Sequence, residues 1–105
     1  MAITQEQVLR ALTQCFDPEI PVNIVDLGMI YKVRLTPAPD NKQDVVVDVT
    51  MTSQGSPAQN TIGEQIKTIL EQLPGVRHAS MNVIATPPWS PERLSVAAKR
   101  QLGVE

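Results

Sequence analysis

The sequence is poor in the side chains that most often carry chemistry. Its 105 residues include one cysteine, Cys15, and one histidine, His78. An intramolecular disulfide is excluded, and so is an ordinary closed zinc site built from a single chain. Carboxylates alone could hold magnesium or calcium, but the eleven acidic residues are scattered and match no EF-hand loop. There is no glycine-rich phosphate loop, no Gly-x-Ser-x-Gly elbow, and no cysteine–histidine pair spaced as nucleophile and base. The nine lysines and arginines form no stripe and the net charge is −2, which argues against nucleic acid as a partner. No apolar run approaches the ~20 residues that span a bilayer. The opening MAITQEQ also lacks the basic and apolar regions of a signal peptide. A cytoplasmic chain with no membrane association is expected.

What is present reads as one globular α/β domain over residues 1–105. Hydrophobic residues make up 42% and charged residues 19%, and a chain of this length buries roughly two-thirds of its unfolded surface. Thr4 and Gln7 are spaced as a capping box, and Ile3 and Val8 as a hydrophobic staple, so a helix starts at once. Val8, Leu9, Leu12, Cys15 and Phe16 repeat at helical spacing until Asp17-Pro18. Cys15 on that stripe is read as a small buried hydrophobe; the rival reading is a reactive thiol or half of an intersubunit ligand set. Residues 17–29 read as an ordered loop. Ile30–Thr36 alternates, with Tyr31, Val33 and Leu35 on one face, and a Pro37–Asn41 turn returns the chain into a strand over 44–52.

Ser56 is placed as an N-cap with Pro57 at the first helical position and Gln59 completing a second capping box. The stripe Ile62, Ile66, Ile69, Leu70 and Leu73 follows and ends at Pro74-Gly75. Val76–Ala85 is a third strand, and a helix between two strands implies a right-handed crossover, with the order of strands in the sheet left open. Thr86-Pro87-Pro88-Trp89 is extended, and Ser90-Pro91 caps a last helix with Leu94, Ala97, Ala98 and Leu102 inside. The expected order is αββαβα around a three-stranded sheet, with 86–105 forming a C-terminal Pro-Pro-Trp segment and helix.

Three carboxylates, Asp17, Glu19 and Asp26, fall in the 17–29 loop, where they could converge for acid–base work. The competing reading is structural: Asp17 before proline makes an Asx-type turn, and Asp26 bonds to nearby backbone. His78 is read as an exposed edge residue. Trp89 is either an anchor for a partner or a residue packed onto its own sheet, and Tyr31 and Met29 are further surface candidates.

The chain as a whole resembles a family. The residues that carry the likeness are Asp17-Pro18-Glu19-Ile20-Pro21-Val22-Asn23-Ile24-Val25-Asp26-Leu27-Gly28-Met29-Ile30-Tyr31, Val49-Thr50-Met51-Thr52 ahead of Gly55-Ser56-Pro57, Leu73-Pro74-Gly75-Val76, and Pro87-Pro88-Trp89-Ser90-Pro91. They resemble the SufT/PaaD-type iron–sulfur cluster assembly domain. That resemblance implies a non-enzymatic accessory or adaptor factor that matures iron–sulfur proteins through contacts with scaffold, carrier or client proteins. It also implies binding positions at Asp17, Glu19, Asp26, Gly28, Thr50, Thr52, Ser56, Pro57 and Trp89, with no catalytic or metal-ligating residue among them.

One position departs from the pattern. The family segment after the second strand usually reads Thr-x-x-Gly-Cys-Pro, and here Ser56 stands where the cysteine would be. A helix N-terminus lowers a thiol pKa and favours a thiolate, whereas a serine hydroxyl stays protonated and binds soft iron poorly. Ser56 is thus a helix cap, or else a docking point for an anionic group together with Thr50 and Thr52. No cofactor bound stably by the monomer is expected. The alternatives are an iron or cluster carrier that shares ligands across a homodimer, and a thiol-free paralogue that serves only as an interaction module.

Overall fold

A computed structural model describes residues 3–52 and 57–103. Ser53–Ser56 lie outside the described residues, and with them the expected Ser56 cap. The elements in chain order are α1 (Gln5–Leu12), β1 (Ile30–Ala38), β2 (Lys42–Val49), α2 (Ala58–Glu71), β3 (Val76–Val83) and α3 (Val96–Leu102), with a single 3-10 turn at Pro91–Arg93. The sheet order is β1-β2-β3, antiparallel between β1 and β2 and parallel between β2 and β3. The αββαβα order is as the periodicity predicts.

α1 opens on the expected capping box: the Thr4 hydroxyl accepts from Gln7 N, and the Gln7 side chain accepts from Thr4 N. It closes early. The Thr13 hydroxyl donates to Arg10 O, and the amides of Thr13, Gln14 and Cys15 bond three residues back, which tightens the chain out of the helix before Asp17-Pro18 is reached. Cys15 is buried beyond the helix end, and Phe16 leaves the expected apolar stripe. Both backbone groups of Phe16 are taken by the Gln65 side chain, and its ring is 48% exposed.

The core is built from Val8 and Leu12 of α1, Ile62, Ile66 and Leu70 of α2, and Val45, Val47 and Val49 of β2, all fully buried. Each such side chain contributes ~1.5–3 kcal/mol relative to exposure. The loop between α1 and β1 adds Ile24, Leu27 and Met29 to the same cluster. Asp40 and Asn41 both take positive φ, 63° and 60°, at the hairpin tip, the conformation of a tight turn that suits the twist of the flanking strands.

Two expectations about faces are corrected. β1 carries an irregularity in which Ile30 pairs with Val49 and Lys32 with Asp48, so Tyr31 is an extra residue in the ladder. The bulge turns Tyr31 out of the Val33–Leu35 face and leaves it 53% exposed. At the other end, β3 stops at Val83, and the last helix does not begin at Ser90-Pro91. Leu94 takes an extended conformation after the 3-10 turn, and the Ser95 hydroxyl caps α3 by accepting from Ala98 N. Leu94 and Ala98 are buried, but Ala97 faces out.

On the sheet face opposite the helices, Asp48 is nearly buried. Its carboxylate accepts a bidentate pair from Arg34 at 2.7 and 3.1 Å and a third bond from Asn82, tying the three strands together. The Arg34 hydrogen bonds hold its carboxyl below the usual range, with Asn82 adding to the effect. A carboxylate with a depressed folded pKa stabilises the fold above its unfolded pKa, and that stability is lost as pH falls through the folded value. Asp48→Asn should therefore flatten the acid limb of the stability curve below about pH 4. Chemical denaturation across that range reads it, and an unchanged acid limb would contradict it.

Candidate functional site

The site is organised by the 17–29 loop. Asn23 Oδ1 accepts from Val25 N and Asp26 N, and Leu27 N and Gly28 N bond back to Asn23 O and Val25 O. This is a short helical turn with an asparagine cap, ended by Gly28 at a φ of 73°. Its last carbonyls point away from the turn and need partners. The C-terminal segment supplies them in succession: Ser95 N donates to Asp26 O at 2.8 Å, Trp89 Nε1 to Leu27 O at 2.7 Å, and Arg93 Nε to Gly28 O at 2.7 Å. Gln101 Nε2 adds a bond to Pro21 O. A Cβ on Gly28 would sit 2.2 Å from Arg93 O, so the glycine permits both the left-handed turn and the close approach.

This latch carries Trp89 over the carboxyl ends of β2 and β3, where it walls a cavity of about 320 Å³. The floor is Thr50, Met51 and Thr52, which follow β2; Gln59 from the first turn of α2 and the Val83–Ala85 stretch complete it. In a parallel β–α–β unit the helix begins at the carboxyl end of its strand, so the cavity lies at the end where open α/β sheets bind ligands. Thr50 is buried, its amide bonded to Met29 O at 2.8 Å and its hydroxyl to Pro87 O at 3.2 Å.

Of the residues singled out in the sequence, Thr50, Thr52 and Trp89 meet at this cavity. The other described ones do not line it. Asp17 is buried, and its Oδ1 accepts from Glu19 N at 2.7 Å, an Asx-type turn; Glu19 itself is exposed. The Asp26 carboxylate accepts from the Asn23 side chain at 2.7 Å rather than from backbone. The two aspartates are thus each engaged by local partners, and Gly28 is a packing position. Pro57 precedes α2 and is exposed. Met29 is fully buried, which removes it as a surface candidate. His78 is exposed on β3 beside Glu71. Arg93 and Ser95 carried no sequence signal, because each is positioned by a bond to a distant segment, while Gln59 and Met51 stood in the sequence only as a capping-box and a motif residue.

Among the described residues no group of three or more His, Cys, Asp or Glu side chains could hold a metal ion. Cys15 is buried, and burial pushes its thiol up to about 11. It stays protonated at neutral pH, where thiolate is the form that binds soft iron.

The family model for iron–sulfur cluster assembly proteins matches residues 5–83. The chain belongs to that family. The Fe-S protein maturation auxiliary factor SufT of Staphylococcus aureus is 39% identical over 88 residues, covering 84% of this chain and 96% of the relative. The Fe-S protein maturation auxiliary factor YitW of Bacillus subtilis is 35% identical over 103 residues, covering 96% of this chain and 95% of the relative. The crystal structure of a domain of unknown function from Bacillus anthracis superposes with a TM-score of 0.83 at 37% identity, covering 96% of this chain and 92% of that one. The family match ends at residue 83, so Trp89, Arg93 and Ser95 act on family elements from outside the matched region.

Two outcomes follow for the site. Gly28→Ala should lower stability by ~3 kcal/mol or more, since it adds left-handed strain to a backbone clash. Trp89→Phe should cost ~1–2 kcal/mol by leaving Leu27 O without its donor. Thermal unfolding of both variants reads this, and a Gly28→Ala protein as stable as wild type would contradict it. The Cys15 thiol should react with an aromatic disulfide reagent only after denaturation; stoichiometric labelling of the native chain would contradict its burial.

Proposed function

We propose that the chain is a cytoplasmic accessory factor in the maturation of iron–sulfur proteins, acting through contacts with scaffold, carrier or client proteins and not as an enzyme. The observation that carries this reading is the family match over residues 5–83, joined to relatives named as maturation auxiliary factors that align along almost their whole length. The chemistry of the chain supports it. An iron–sulfur cluster is cargo here, and soft iron calls for thiolate ligands. This chain has one thiol, which is buried and protonated, and a serine at position 56. Ligands for the cargo would then come mainly from the partner.

In this reading the partner meets the cavity at Thr50, Thr52 and Trp89, and Ser56 and Pro57 follow Thr52 in the sequence ahead of α2. Asp17, Glu19, Asp26 and Gly28 serve it indirectly by shaping the loop on which the Trp89 wall rests. A hydroxyl-lined floor with an aromatic wall is suited to a protein segment bearing one apolar and one polar group.

In cells lacking the gene, iron–sulfur enzymes should lose activity per polypeptide and lose bound iron, and the wild-type chain should restore both. Cys15→Ala should restore them as fully, which separates this reading from a carrier that uses Cys15 as a ligand. Unchanged cluster content in the deletion strain would overturn the assignment.

A further inference from the structure

The ladder between β2 and β3 stops short of the cavity. Its last bond runs from Ile84 N to Val49 O at 2.8 Å. In a parallel pair a residue bonds to both neighbours of its partner, so the next two bonds would join Met51 N to Ile84 O and Thr86 N to Met51 O. Neither is made among the described residues, although Thr50 N, one residue earlier, bonds to Met29 O. Met51 is only 7% exposed, and it lines the cavity beside Trp89 together with Ile84. Buried main-chain groups are almost always paired. A nearly buried residue on a cavity wall, with neither its N–H nor its C=O engaged, points to an occupant that supplies both partners.

The rest of the lining restricts what that occupant can be. None of the described residues around the cavity is charged, so an ion entering it would lose water without gaining a counter-charge. Two side-chain donors are already spent on the fold, Trp89 Nε1 on Leu27 O and the Thr50 hydroxyl on Pro87 O. What remains is one donor and one acceptor on Met51, a further acceptor at Ile84 O, and the aromatic wall. At about 320 Å³ the space lies at the small end of ligand pockets, room for one residue of a chain.

We propose that the cavity takes one apolar residue of an extended segment of the partner protein and reads it through its main chain. The residue's N–H donates to Met51 O, its C=O accepts from Met51 N, and its side chain lies against Trp89. An extended residue presents both groups on one side, so the exchange is that of a hydrogen-bonded β pair. Apolar side chains enter and charged ones are excluded by the uncharged walls. That the segment belongs to a partner in iron–sulfur maturation rests on the function proposed above, whereas the binding is a property of the cavity.

The full chain titrated with capped tripeptides tests this by NMR. Acetyl-Ala-Leu-Ala-amide should shift the Met51 amide signal and the indole signal of Trp89, the one tryptophan, to saturation. Glutamate in place of the central leucine should weaken binding at least ~tenfold. Methylating the leucine nitrogen should weaken it at least ~tenfold as well, by removing the donor to Met51 O. Ala85→Phe, at an exposed position of the lining, should fill the space and abolish the shifts. Leucine and glutamate peptides that bind alike overturn the proposal, and so does an N-methylated peptide that binds as tightly as its parent. No shift at any attainable concentration overturns it too, since water alone then satisfies Met51. In the deletion strain, an Ala85→Phe chain that restores iron–sulfur enzymes as fully as wild type places the partner elsewhere and overturns this use of the cavity, while the maturation role stands. A strain with no cluster defect removes the maturation role and leaves the peptide titration to decide the binding.

Discussion

Three consecutive carbonyls, of Asp26, Leu27 and Gly28, receive three donors from one C-terminal stretch, and the geometry of the candidate site depends on that contact. A helical turn that ends in a glycine leaves its final carbonyls without internal partners, and burying them unpaired would be costly. Here the turn at 23–28 is closed at its start by Asn23 and at its end by Ser95, Trp89 and Arg93. The loop is thereby fixed from both sides: Ile24, Leu27 and Met29 reach the core, while the outward carbonyls hold the segment that walls the cavity. Removing the latch would leave Thr50 and Thr52 on the end of a sheet with no aromatic wall beside them.

How much of this was legible in the sequence follows the range of the interactions. The Thr4 box, the α2 stripe from Ile62 to Leu70 and the hairpin rest on neighbours within a few residues, and all appear in the fold. The Asx turn at Asp17 is equally local. Phe16 and Tyr31 were misplaced because Gln65, 49 residues away, holds one, and a bulge against β2 turns out the other. The start of α3 at Ser95 depends on Leu94 taking an extended conformation where the chain packs against the loop, a tertiary choice that Ser90-Pro91 cannot report. At the site, the threonines and Trp89 were visible as motif residues, but the partner of Trp89 was not, since its indole meets a backbone carbonyl 62 positions earlier.

The matched region, 5–83, contains the sheet, the loop and α2. The wall of the cavity comes from beyond it, held by backbone carbonyls that do not depend on side-chain identity. A surface made this way is fixed by bonds to main-chain carbonyls. Cys15, buried and protonated, belongs to the core and not to this surface.

The central claim is that the 26–28 carbonyls hold the C-terminal segment as one unit with the strand ends. Native-state hydrogen exchange at the Ser95 and Thr50 amides tests it most directly, because Ser95 N bonds Asp26 O and Thr50 N bonds Met29 O on the same loop. The account predicts that both are protected and open with similar free energies, as members of one cooperative unit. A Ser95 amide that exchanges like open coil while Thr50 stays protected would contradict it.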